Sequence, residues 1–273
     1  MKLPSEFAQL ERDGWQRVAA KYEDAWSGLT RLFIADLLDA AGVAAGHRVL
    51  DVACGPGYVS EAARARHAES VGIDFSSEMV RLARERNSQI DFRVGDAQAL
   101  EFGNNEFDAL VINFGVLHLP NPETAFAEAR RVLRAGGRMA FTVWAAPDVS
   151  PGARLIEGAV RAHANMNVSI PKGPDDFSYS EPDQCRTVLA RSGFDPASVV
   201  FRTVVGKWRV PFAAFIFEAE RDAGVRTAAL LAAQTPEALA AIRRDIEIGM
   251  AAFEEPPGFA VPYAAHVIAA AVP

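Results

Sequence analysis

The chain has 273 residues, half of them apolar and 23% charged, with a formal net charge of −7. That length carries a large buried core, the balance is ordinary for a soluble globular enzyme, and no basic cluster with interleaved aromatics favours a nucleic-acid partner. The two cysteines, Cys54 and Cys185, provide neither a disulfide framework nor a metal-ligand spacing, so no metal is expected.

Met1-Lys2-Leu3-Pro4-Ser5-Glu6 is not followed by the apolar stretch of a secretory leader. No apolar run reaches about 18 residues, the length that spans a bilayer, and a cytoplasmic protein without a membrane span is expected. Residues 5–42 read as helices with a break near Ser27-Gly28. Leu29, Leu32, Phe33, Leu37 and Ala40 recur at helical spacing, so the second part is amphipathic. Tyr22 and Trp26 stand four apart and share a helix face, either as core aromatics or as part of a lid over a ligand.

From His47 the pattern alternates. Strands are expected at His47–Ala53, Ser70–Asp74, Ile90–Val94, Phe107–Asn113 and Arg138–Trp144. Helices are expected at Tyr58–His67, Ser76–Asn87 and Glu123–Leu133, the last closed by Gly136-Gly137. Short apolar strands alternating with helices predict a mostly parallel sheet covered on both faces, and right-handed crossovers make it a doubly wound α/β fold. After 145 the pattern changes. Residues 151–166 and Pro182–Ser192 read as helices around a loop, and Ala197–Val210 and Gly258–Ala270 as strands. The alanine-rich 211–254 between those strands reads as helices broken near Gly224 and Pro236, a helical insert in a C-terminal hairpin. With no repeat and no low-complexity linker, one domain with insertions is expected.

The stretch Val49-Leu50-Asp51-Val52-Ala53-Cys54-Gly55-Pro56-Gly57-Tyr58 reads as a buried strand, a tight turn and a helix start. Its glycines let backbone approach a ligand closely. A second carboxylate, Asp74, closes the next strand about twenty residues on, where a doubly wound sheet places an acceptor for ribose hydroxyls. An adenosine-bearing ligand is expected. A dinucleotide fingerprint wants a third glycine where Ser60 stands, and Asp51, leading the turn, repels a pyrophosphate. Asp51 could instead face an ammonium group through water or neighbouring backbone.

Together these residues resemble class I S-adenosylmethionine-dependent methyltransferases, of the ubiquinone/menaquinone-biosynthesis type and related small-molecule enzymes. Asp51–Gly57 with its strand is similar to their first motif, Gly72-Ile73-Asp74-Phe75-Ser76-Ser77-Glu78-Met79 to the second, and Gly95-Asp96-Ala97-Gln98 to the third. Val111–His118 and Arg131–Gly137 are similar to the fourth and fifth. The resemblance spans about 45–145 and implies a seven-stranded Rossmann-like sheet. It implies that backbone at Ala53, Gly55 and Gly57 lines the methionine part of the cofactor and that Asp74 holds the ribose. It further implies that Phe75 and Met79 flank the adenine, that Asp96 and Ala97 meet its amino group and ring, and that Asn113 and Phe114 lie near the cofactor's amino group. Many relatives carry paired histidines after the fourth strand. Here the sequence is His118-Leu119-Pro120, and His118 either acts as a base, orients a ligand or satisfies a local hydrogen bond.

The expected reaction is methyl transfer to a small-molecule acceptor by in-line displacement, assisted chiefly by proximity and orientation, with His118 and Tyr22 as candidates for proton transfer. Trp26, Trp144, Phe177 and Tyr179, and less so Phe212, Phe215 and Phe217, are candidate acceptor contacts that suit an apolar or planar molecule. Residues 1–44 form an N-terminal helical cap in this scheme, 45–145 the cofactor-binding core and 146–273 the acceptor side. A nicotinamide-dependent oxidoreductase and a non-catalytic S-adenosylmethionine-binding protein are the competing readings.

Overall fold

The computed structural model describes residues 5–273. Its sheet is built from β1 (Arg48–Val52), β2 (Glu69–Asp74), β3 (Asp91–Val94), β4 (Phe107–Asn113), β5 (Leu133–Trp144), β6 (Val200–Val210), β7 (Glu254–Glu255) and β8 (Gly258–Ala271). The strand order is β3-β2-β1-β4-β5-β8-β6, with the two-residue β7 paired to β8. β3, β2, β1, β4 and β5 are parallel to one another, and β8 runs antiparallel to β5. This is the expected doubly wound, mostly parallel sheet of seven principal strands, plus one short strand whose two glutamates carry no apolar signal. The chain order reverses between β1 and β4, which puts the C-terminal ends of β1, β2 and β4 around the crevice where such sheets bind ligands.

Burial explains the strand composition. Val49, Leu50, Asp51 and Val52 are all buried, as a parallel strand covered on both faces requires. On one face Leu50, Leu110, Ile112 and Phe141 pack with Ala125, Phe126, Ala129 and Val132 of the helix Pro122–Val132. Another core cluster joins Cys54 and Phe92 to Val80, Ala83 and Ile90. Cys54 is thus a small filler, and burial pushes its thiol well above the usual range. β5 begins at Leu133, not at Arg138, because Leu133 pairs with Phe107 before a register shift that precedes Ala109.

The predicted N-terminal helices resolve into Glu6–Val18, Tyr22–Ala25, Ser27–Thr30 and Ile34–Ala40, with 3-10 turns at Ala19–Lys21 and Arg31–Phe33. Ser5 caps the first by accepting from the Ala8 amide at 3.2 Å. The alanine-rich insert forms Phe215–Ala223, Arg226–Ala232 and Pro236–Met250, the last capped by Thr235, whose Oγ1 accepts from the Ala238 amide at 3.2 Å. No described helix is long and apolar enough to cross a membrane.

Contacts cluster the chain into two compact units, each assembled from three stretches. Unit 1 is the described part of Met1–Leu32 with Ala145–Lys172 and Val205–Ala264, and unit 2 is Phe33–Trp144 with Gly173–Val204 and Ala265–Pro273. Unit 1 contains a buried ion pair. Glu11, 1% exposed, lies 3.3 Å from the Arg226 guanidinium and accepts from the Trp15 indole N–H at 3.0 Å. Unit 2 holds β1–β5 and every residue expected to bind the cofactor.

Candidate functional site

The turn after β1 is made of left-handed backbone. Ala53, Gly55 and Gly57 have φ of 55°, 51° and 85°. A Cβ added at Gly57 would stand 2.7 Å from Cζ of Phe92, whereas one added at Gly55 would meet nothing within 4 Å. Gly57 is therefore a packing glycine, and Gly55 faces open space at the sheet's C-terminal edge. The turn then enters the helix Tyr58–Ala65.

Two buried carboxylates brace it. Asp74 Oδ2 accepts from the Gly55 amide at 2.9 Å and Oδ1 from the Ser76 amide at 2.8 Å, so the end of β2 fixes the glycine turn directly. Asp51 is fully buried, and its Oδ2 accepts from both the amide (3.0 Å) and the hydroxyl (2.7 Å) of Ser60. Its Oδ1 is buried with no hydrogen-bond partner among the described residues. Burial pushes the Asp51 carboxyl up to about 7 against the pull of the two Ser60 bonds, with the nearby Asp74 charge adding to the rise. Burial also raises Asp74, to about 6, opposed by the Ser76 and Gly55 amides and by His118. Burial disfavours any single charge here, so a cation is stabilised only when paired with one of these carboxylates.

At the end of β4, Phe114 adopts φ 57°, and Thr142 of β5 secures this kink. The Thr142 hydroxyl accepts from the Phe114 amide at 2.9 Å and donates to Asn113 Oδ1 at 2.8 Å. The Phe114 ring stacks on Trp144 with centroids 3.8 Å apart, and Phe33 meets both rings edge-on at 5.4 and 6.1 Å. His118 closes the 3-10 turn Val116–His118 that follows, half-buried.

Residues 50–141 match a family model described as a methyltransferase domain. A demethylmenaquinone methyltransferase of Renibacterium salmoninarum is 39% identical over 178 residues, 62% of this chain and 73% of that protein. One of Paenarthrobacter aurescens is 35% identical over 216 residues, 75% of this chain and 84% of its own length. The chain belongs to the class I S-adenosylmethionine-dependent methyltransferases of the ubiquinone/menaquinone type. A solved methyltransferase from Thermotoga maritima superposes with a TM-score of 0.56 at 16% identity, covering 96% of this chain and 99% of that one, a likeness of fold alone.

This methyltransferase uses S-adenosylmethionine to methylate a small molecule. The geometry fits that cofactor. The unpartnered, buried Asp51 Oδ1 is an acceptor suited to an ammonium donor, and the space before Gly55 admits a chain alongside the turn. Each Asp74 oxygen bonds one backbone amide and keeps a lone pair for a hydroxyl.

The remaining predicted residues of the methyltransferase fall in different surroundings. Phe75 is half-buried and Met79 is 2% exposed, its amide donating to the Ser76 hydroxyl at 3.3 Å. Asp96 is exposed and accepts from the Gln98 amide at 2.9 Å, forming a local turn beside the buried Ala97. Phe177 is half-buried in the loop before the helix Pro182–Arg191. Tyr179 packs edge-on against Phe126 and Phe141 within the core cluster, and its burial pushes its phenol up to about 12. That ring serves the core of unit 2. In unit 1, the Tyr22 phenol shares a hydrogen bond with Thr30 Oγ1 at 3.2 Å, and the Trp26 indole donates to the Ala223 carbonyl at 3.0 Å while stacking on Trp208. Phe215 meets Trp208 and Phe212 edge-on, and Phe217 is buried.

Sequence reasoning did not single out Ser60 as a carboxylate partner, nor Thr142 and Phe33. The pairing Asn113↔Thr142 in the β4–β5 register is the signal for Thr142.

Proposed function

We propose that the acceptor is a planar, apolar ring of the quinol type, methylated beside the Phe33–Phe114–Trp144 aromatic group. The observation that carries this reading is the stack of Phe114 on Trp144 next to Asn113, at the strand ends where the cofactor is expected. Trp144, the partly exposed ring of the three, has a flat, polarisable face of the kind that suits an aromatic acceptor. The names of the two relatives, both demethylmenaquinone methyltransferases, support a ring acceptor of that chemistry.

In this reading Asp51 receives the cofactor's amino group and Asp74 its ribose hydroxyls, while backbone at Ala53, Gly55 and Gly57 lines the methionine portion. Phe75, Met79, Asp96 and Ala97 surround the adenine, and Asn113 and Phe114 close the amino end. The bound cofactor supplies an electrophilic methyl group on a sulfonium. The protein holds the acceptor in line with it and keeps water away. A quinol hydroxyl that releases its proton makes the ring a better nucleophile, and the His118 imidazole takes that proton. Trp144, stacked on Phe114, is the proposed acceptor contact.

A screen of reduced naphthoquinones, phenols, amines and thiols for S-adenosylhomocysteine release, with mass-spectrometric location of the methyl group, tests the proposal. Turnover of reduced naphthoquinones is the expected result. Turnover confined to amines or thiols overturns it.

A further inference from the structure

We infer that Ser60 is a positioning residue for the cofactor: by giving both its donors to Oδ2 of Asp51, it leaves Oδ1 as the oxygen that receives the cofactor's amino group. The inference rests on the placement of that amino group at Asp51 proposed above.

Asp51 and Ser60 are both fully buried, so neither exchanges its partner for water. The amide and the hydroxyl of Ser60 converge on a single oxygen at 3.0 and 2.7 Å, which fixes the rotation of the carboxyl plane about the Cβ–Cγ bond. The other oxygen is buried and without a partner. A buried acceptor left in that condition destabilises the fold unless something bonds it. In the Rossmann dinucleotide turn this position is a glycine that allows close helix packing, and a glycine would supply only the amide. The serine adds a second, charge-assisted bond.

The groups that act on Asp51 come from each neighbouring element. Asp74, at the end of β2, opposes its ionisation, the buried Cys54 thiol stays neutral in the turn, and His118 after β4 acts on Asp74. Burial is the largest influence and also opposes the charge, while the two Ser60 bonds favour it. Removing the hydroxyl therefore both frees the carboxyl to rotate and makes it harder to ionise.

The test compares the wild-type protein with Ser60→Ala and Asp51→Asn. One measurement is the carboxyl carbon-13 titration of Asp51 in the ligand-free protein. The other is calorimetric binding of S-adenosylhomocysteine, which keeps the amino group, from pH 5.5 to 8.5. In Ser60→Ala the Asp51 titration should move to higher pH and the affinity curve should move with it. The loss should be about tenfold or more near pH 6.5 and smaller at pH 8.5, the scale of one charge-assisted hydrogen bond. Asp51→Asn should flatten the pH dependence. Ser60→Thr, which keeps the hydroxyl, should restore part of the affinity. An unshifted Asp51 titration in Ser60→Ala overturns the inference at the level of the Ser60–Asp51 contact. A shifted titration with an unchanged binding curve, or wild-type binding by Asp51→Asn at every pH, overturns it by removing the amino group from Asp51. Neither outcome touches the identity of the acceptor.

Discussion

Asp51 and Asp74 are held in their protonated forms to a higher pH than any free carboxylate. Against the ordinary 3.8, they titrate at about 7 and about 6 in the fold. Between pH 4 and 7 the native state thus binds protons that the unfolded chain has released, so these groups favour the fold at low pH and disfavour it as pH rises through the window. Glu128 and Asp222, lowered by Arg131 and Arg221, work in the opposite sense below that range. Denaturant unfolding of the ligand-free enzyme should show stability from these two carboxyls falling between about pH 4 and 7. A cation at Asp51 draws off the proton, so affinity for S-adenosylmethionine should rise across the same interval with net proton release. Calorimetry in buffers of different ionisation enthalpy reads that release, and its absence would separate the two carboxyls from the cofactor. His118→Ala should lower methyl transfer at saturating cofactor by roughly 100- to 10,000-fold, the usual weight of a general base. Unchanged turnover at saturating cofactor would exclude His118 as the base. Asp51 and Asp74 were legible because each stands at or next to the last residue of an apolar strand. Thr142 was not, since only the β4–β5 register brings it to Asn113 across 29 positions.

The glycine turn shows how one motif carries two physical requirements. Both Gly55 and Gly57 lie in left-handed backbone, at φ 51° and 85°, where any other residue costs roughly 1–2 kcal/mol. Gly57→Ala adds a collision with the Phe92 ring and should lower the unfolding midpoint well beyond that strain. Gly55→Ala places its methyl in open space, and should weaken S-adenosylhomocysteine binding more than it lowers stability. Thermal unfolding and calorimetry on both variants check the contrast, and equal effects on both readouts would refute the division. Among the elements, strands and helices with strong periodicity were predicted to within a few residues. The N-terminal region was harder to read, because Tyr22–Ala25, Ser27–Thr30 and Ile34–Ala40 have no side-chain cap bonds at their starts. Without capping signals, short turns and one continuous helix have similar sequence patterns.

Across the whole molecule, the alternation of strand and helix and the interrupted C-terminal hairpin were enough to give the architecture. The partition into two units was not, because it depends on which distant segments pack together. Glu11 and Arg226 illustrate this: a buried carboxylate on the first helix finds its cation far along the chain. Removing one partner of such a pair costs about 3–5 kcal/mol. Glu11→Ala should therefore lower the unfolding midpoint, yet leave the dissociation constant of S-adenosylhomocysteine at 25 °C unchanged, because every proposed cofactor contact belongs to unit 2. A weakened constant in parallel with the lost stability would contradict that assignment. The same interleaving constrains how the enzyme can be altered. The chain passes between units at 32/33, 144/145, 172/173, 204/205 and 264/265, and two of those crossings fall inside β6 and β8. Recombination between relatives trades one whole unit only with a crossover at each of these five passages, since a single crossover always divides at least one of the two units. The wholesale exchange open to proteins whose units follow one another along the chain thus demands five matched junctions here, two of them within strands.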